Sequence, residues 1–215
     1  MNLRLSLIIA VVLLLCIPAI TFAQSKDIAA AEYWQVIYSQ YTSSRKVFPR
    51  KERDIYERFT DSKITYSRTK RFEYQSANTF RLVTETSTDG KISLTEMIQI
   101  GRVGYCKEDL GDWKTAGCYL NPPAALEDAV ETRYFVQKNR DNTVYSRIAT
   151  FLLKETGKPE QTKFLTVDTL TLNKDLSIRG RTIVKSFFET KNIASRETEQ
   201  FKYSSTLKPI EAPIK

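Results

Sequence analysis

The spacing of apolar residues along this chain changes twice, and each change marks a boundary. Leu5 to Ile20 is a nearly unbroken greasy run, with Arg4 as the only charge before it. Thr21-Phe22-Ala23 follows, a small-x-small site of the kind signal peptidase reads. The pattern predicts an export signal over residues 1–23, cut between Ala23 and Gln24. The run is about as long as the shortest membrane spans, roughly 17 residues, and Pro18 interrupts it, so cleavage is favoured over retention as an anchor. Cys16 sits mid-run behind Leu13-Leu14-Leu15 rather than behind a small residue, so it reads as a hydrophobe that leaves with the signal. Residues 24–215 remain, a length that suits one domain.

The next period is helical. Ala30, Tyr33, Trp34, Ile37, Tyr38 and Tyr41 fall at i, i+3, i+4, i+7, i+8 and i+11, one broad aromatic stripe. Asp27 lies near its start, where a carboxylate favours the exposed N–H groups. After the helix the period drops to two. Phe80, Leu82 and Thr84 alternate with Arg81, Val83 and Glu85; Ile92, Leu94, Glu96, Ile98 and Ile100 form one face of the next run. Asp89-Gly90 between these runs is a hairpin signal. Gly101 breaks the second run, Val103 and Tyr105 resume it, and Trp113 to Tyr119 returns after Leu110-Gly111-Asp112. Pro122-Pro123 ends this half, and Ala124 to Thr132 is expected as a short helix on the Leu126/Val130 spacing. A second set of strands follows over 134–138, 143–153, 164–172, 178–188 and 197–203, punctuated by Asn139-Arg140-Asp141-Asn142 and Asn173-Lys174-Asp175. Residues 45–62 fit either a charged helix or the first strand.

The fold class expected is α+β, mostly β: one antiparallel sheet of roughly nine to eleven strands with a single long amphipathic helix. A sheet of that size twists and coils. The expectation is therefore an unclosed barrel wrapped around the N-terminal helix.

Composition removes several function classes. The chain contains no histidine, so Ser-His-Asp and Cys-His devices are excluded. Seven glycines include no phosphate-cradling loop. The formal charge is +8, scattered rather than blocked, which suits a solvated surface; an exported cation could also meet an anionic membrane surface. An exported address argues against nucleic acid, although Arg68, Lys70 and Arg71 interleave with Tyr66, Phe72 and Tyr74. Neither a cofactor nor a metal site is expected, because no third mature cysteine joins Cys106 and Cys118.

Those two cysteines lie on neighbouring strands of one expected hairpin. Cross-strand partners come close enough for a disulfide, which would stabilise by about 3 kcal/mol by closing a short loop. Acid chemistry stays open through Glu73, Glu85, Glu96, Asp109 and Asp112, though no spacing selects a pair. Glu96, alone on an apolar face, is either a buried acid or the partner of a cross-strand Lys or Arg.

Two stretches carry a resemblance. Glu96-Met97-Ile98-Gln99-Ile100-Gly101-Arg102-Val103-Gly104-Tyr105 followed by Trp113-Lys114 is similar to a hairpin of bacterial secreted proteins. Phe201-Lys202-Tyr203, ending in Ile210-Glu211-Ala212-Pro213-Ile214, is similar to their closing strand and tail. Together with the N-terminal helix and the long meander, the chain over residues 27–214 resembles the LolA/LolB-like lipoprotein-carrier superfamily. The resemblance implies an unclosed barrel that shelters acyl chains or other apolar molecules.

The function expected is a non-enzymatic, periplasmic or extracellular carrier for a hydrophobic small molecule, a lipid or an acylated protein. Its cavity would be lined by Trp34, Ile37, Tyr38, Tyr41, Phe80, Leu82, Ile98 and Tyr105. The alternatives are a solid-core envelope interaction module and a carboxylate hydrolase.

Overall fold

A computed structural model describes residues 25–115, 129–154, 161–203 and 206–214. Residues 1–24, with the expected Ala23–Gln24 cleavage site, and Cys118 lie outside the described residues. The elements are β1 (Ser25–Asp27), α1 (Ala30–Ser44), β2 (Arg50–Thr60), β3 (Lys63–Ser76), β4 (Thr79–Thr88), β5 (Lys91–Ile100), β6 (Val103–Glu108), β7 (Ala129–Lys138), β8 (Asn142–Lys154), β9 (Gln161–Asn173), β10 (Ile178–Phe187) and β11 (Ile193–Tyr203). All the strands join one antiparallel sheet in the order β1-β7-β8-β9-β10-β11-β2-β3-β4-β5-β6. The sheet is not closed, and among the described residues α1 is the one helix, so the chain is mostly β. No described helix is long and apolar enough to cross a membrane.

The order follows from two local meanders. Tight turns at Asp61-Ser62, Asp89-Gly90 and Gly101-Arg102 fold β2–β6, and residues of those turns take the positive φ that such connections need. The second meander, β7–β11, folds the same way and brings its last strand against β2, from Ser195↔Arg58 to Tyr203↔Arg50.

Within residues 45–62, Arg50–Thr60 form the strand β2, placed between β11 and β3 in the middle of the sheet. Several of its charged residues are offset by an opposite charge on a neighbouring strand; Arg196 meets Glu57 at 2.7 Å and Lys51 meets Glu73 at 2.6 Å. Two sequence expectations are corrected. Ala129–Thr132 is strand, not helix, because β8 offers a full ladder from Phe151 to Thr143 that a single i, i+4 pair cannot match; residues 124–128 lie outside the described set. Asp27 does not cap the helix. It belongs to β1, opposite Phe135, and the N-cap is Ala29 with no side-chain bond.

The helix lies across the strands of the second meander. At its start the Ile28 N–H donates to the Tyr134 carbonyl on β7 at 3.1 Å, and near its end the Tyr41 ring meets Phe201 on β11 at 5.8 Å. Tyr33 and Ile37 are buried against Leu170 and Leu172 of β9 and Ile178 of β10. Each such fully buried side chain contributes roughly 1.5–3 kcal/mol of transfer free energy. Close approach of β10 to β11 depends on Gly180, where a Cβ would sit 2.7 Å from the Glu199 carbonyl oxygen.

Candidate functional site

Residues directly opposite each other in an antiparallel ladder share a face. Arg181↔Glu199, Glu199↔Asp54, Asp54↔Lys70 and Lys70↔Thr84 therefore form one lateral row, and it lies on the helix-bearing face, because Tyr41 of the helix donates a hydrogen bond to Glu199. The neighbouring row on that face runs Phe201, Glu52, Phe72, Leu82 and Met97, and the next runs Tyr203, Arg50, Tyr74, Phe80 and Gln99. Alternation of side chains then sends Lys51, Arg53, Arg71, Glu73, Arg81 and Ile98 to the far face.

The register divides the eight residues expected to line one cavity. Ile37 is core, and Tyr41 is half-buried against Glu199 and Phe201. Trp34 and Tyr38 stand at the margin of the helix, 37% and 76% exposed. The buried centre of the helix runs through Tyr33, Ile37 and Ser44, and Tyr38 is turned about 100° away from Ile37. Phe80 and Leu82 share the helix-bearing face but lie on β4, beyond the helix. Ile98 and Tyr105 oppose each other on the far face, in line with Arg81.

Two cavities flank the C-terminal half of the helix. One, of about 470 Å³, is lined by Trp34, Ile37, Tyr38, Tyr41, Arg45 and Glu199 among others. The other, of about 420 Å³, lies between the residues after the helix and β11, β2 and β3, and its lining includes Phe48, Phe72, Tyr74, Arg45, Lys70 and Asp54. Arg45 and Glu199 line both, so the two spaces adjoin. Arg45 forms no ion pair among the described residues, and its guanidinium lies 6.0 Å from the Tyr41 ring centre. Arg50, by contrast, is fully engaged. It stacks on Tyr74 and Phe48 at 4.0 and 4.6 Å, pairs with Glu52 at 2.5 Å, and donates to the carbonyls of Arg45 and Val47.

The floor is strongly polar for a buried surface. Arg181 reaches Asp168 through two bonds of 2.8 and 2.6 Å, and Asp168 is only 2% exposed. Burial pushes the Asp54, Glu197 and Glu199 carboxyls above their usual range. Arg68 and Lys70 oppose this at Asp54; Asp54 and Glu199 reinforce it at Glu197; Tyr41 and Arg181 oppose it at Glu199. Burial also lowers the Lys70 ammonium, with Arg68 adding to the effect. The Tyr74 phenol is pushed up to about 12, by burial first and Glu52 second. Asp54 Oδ1 and Arg68 Nε are buried with no hydrogen-bond partner, as are the Tyr33 hydroxyl beside Asp168 and Arg147 Nε. This network was missed in the sequence, although Asp168 stands in step with the two leucines Leu170 and Leu172. A carboxylate in a buried period-2 series is the signal that finds it.

Glu96 is paired rather than isolated, with Arg81 at 2.6 Å and Lys107 at 3.3 Å. Cys106 is held in a disulfide, and Cys118 lies outside the described residues. Among the described residues no cluster of three metal-ligating side chains occurs. No protein family, curated protein or solved structure matches this chain.

Proposed function

We propose that this chain is an exported, non-enzymatic carrier or binding protein for an amphiphilic ligand such as a lipid or an acylated protein. In this reading the sheet curls around the helix as an unclosed barrel, in the manner of the lipoprotein carriers the sequence resembles. The ligand's chain lies along the exposed flank of the helix and its head reaches Arg45. One observation carries the reading: aromatic rings at the exposed margin of the core, Trp34 and Tyr38, line a cavity adjoining a second one whose rim holds a cation without a carboxylate partner. Cavities of this size fall in the range of small-molecule sites. Sheltering a methylene there is worth about 0.8 kcal/mol, so a short acyl segment outweighs part of the ordering cost of binding.

The test is extraction and native mass spectrometry of protein purified without detergent, followed by titration with a fluorescent fatty acid. A co-purified amphiphile, or binding that Tyr38→Ser and Arg45→Gln weaken, supports the carrier. A ligand-free protein with no affinity for fatty acids or phospholipids rejects it. The filled contact of Tyr33 and Ile37 on Leu170, Leu172 and Ile178 favours a second reading, a solid-core interaction module of the cell envelope. The same titration separates the two.

A further inference from the structure

The far face of the sheet carries a feature that amphiphile binding does not use. A groove of about 610 Å³ crosses β11, β2, β3 and β4, and its lining includes Lys202, Lys51, Arg53, Arg71, Arg81 and Glu73. Every one of the four strands contributes at least one cation, in two adjacent rows: Lys202, Lys51 and Arg81 with Glu73 between the last two, and Arg53 beside Arg71. Two pairs of like charge stand directly opposite each other, Lys202↔Lys51 and Arg53↔Arg71. Such pairs are destabilising in a sheet, and nothing in the packing of this face requires them. The carboxylates on the lining are already engaged: Glu73 by Lys51 at 2.6 Å, and Glu52 by Arg50 on the helix-bearing side. Arg71 and Arg81 each hold an acid, Glu85 and Glu96. Arg53 and Lys202 have no ion pair among the described residues, and both are exposed.

We propose that this groove binds an extended polyanion, a chain of phosphate or sulfate groups laid across the four strands. Charge complementarity identifies the occupant. Five cations line one depression, where low-dielectric walls concentrate the field; Glu73, Glu85 and Glu96 each hold one of them, and Arg53 and Lys202 are left without an acid among the described residues. A single headgroup would satisfy two cations and leave the opposed pairs in place. A flat bilayer would reach only the rim. A chain bearing charge at regular intervals places an anion beside each strand's cation and relieves both like-charge contacts. The aliphatic stems of these residues and Val83 form the floor, so the charged ends stand upward to meet the chain.

The test titrates the full chain with long-chain polyphosphate at two or more salt concentrations, with orthophosphate and phosphatidylglycerol vesicles as comparison probes. The proposal expects polyphosphate to bind and orthophosphate not to. Arg53→Gln/Arg71→Gln/Lys202→Gln should weaken polyphosphate binding by about tenfold or more and reduce the slope of log affinity against log salt by about 2, since each single-strand phosphate contact contributes about 0.7. Equal neutralisation elsewhere, in Lys138→Gln/Arg140→Gln/Lys174→Gln, should change binding less than about threefold. Should the groove variant fail to fold, Glu73→Gln provides the opposite readout and should tighten binding. No binding of polyphosphate, an equal loss in the two triple variants, or binding to the vesicles alone overturns the proposal. Arg45 is unaltered, but Arg53 also borders the smaller cavity beside the helix, so the groove variant is titrated with the fluorescent fatty acid as well, and an unchanged fatty-acid affinity beside a lost polyphosphate affinity separates the two sites.

Discussion

Replacing Arg181 by leucine removes one half of the buried pair on the helix-bearing face. Asp168 keeps only 3% of its side-chain surface, so its carboxylate has no water as an alternative partner, and Arg181, at 19%, is largely withdrawn from it. At about 4 Å between charge centres the attraction is worth about 4 kcal/mol at an effective dielectric of 20. Desolvation of the two ions is of the same order, so the intact pair contributes little net stability, whereas one orphaned carboxylate leaves the whole penalty behind. Arg181→Leu is therefore expected to destabilise by about 3–5 kcal/mol, while Asp168→Leu/Arg181→Leu recovers most of that loss. Urea unfolding followed by the fluorescence of Trp34 and Trp113 measures both. With a slope of about 2 kcal/mol/M, the single variant's midpoint falls by roughly 1.5–2.5 M. A single-variant cost below about 1 kcal/mol, or a double variant as unstable as the sum of the two singles, refutes the reasoning.

The pH dependence of stability has a defined sign. Asp54, Glu197 and Glu199 hold protons more tightly in the folded chain than in the unfolded one, whose ordinary values are 3.8 for Asp and 4.5 for Glu. The contribution of these groups is most favourable below those values and is lost as pH rises through the raised folded ones, so Asp54→Asn should flatten the decline measured by urea midpoints from pH 4 to 8. Leu170→Ala opens a void under Tyr33 and should cost about 2–5 kcal/mol in thermal or urea unfolding. Gly180→Ala drives a Cβ into the Glu199 carbonyl and should cost about 1–3 kcal/mol, whereas Gly111→Ala, with its nearest contact at 3.0 Å in an exposed turn, should cost less. Tyr38→Ser should leave the free energy of urea unfolding within about 0.5 kcal/mol of the parent, because the ring is largely in water.

Most of the fold was legible in the sequence because it is built from local devices. The stripe from Ala30 to Tyr41 gave the helix, and Asp89-Gly90 gave a two-residue hairpin. That same turn also carried the face assignment. A two-residue loop sets Thr88 opposite Lys91, and counting back sets Leu82 opposite Met97 and Arg81 opposite Ile98. Leu82 and Ile98 were thus destined for opposite faces, a consequence that residue type alone conceals. The polar floor was less accessible. Asp168 looks like any strand carboxylate until β10 supplies Arg181 across the ladder, and Glu199 and Asp54 become neighbours only when the second meander docks on the first. Position on the helix was also partial information: a stripe 140° wide contains both Tyr33, fully buried, and Tyr38, mostly solvated, and only the width of the opposing surface decides between them.

The seam between β11 and β2 has a consequence for how the molecule is made. Arg196 and Glu57, which meet across it, are 139 residues apart, while nearly every other strand pairs with its neighbour in sequence. Each meander can zip through its own tight turns, but β2 keeps an open hydrogen-bonding edge until β11 docks on it. The long loop closes late and slowly, and throughout that interval the nascent protein is at its most vulnerable to pairing with another copy of itself.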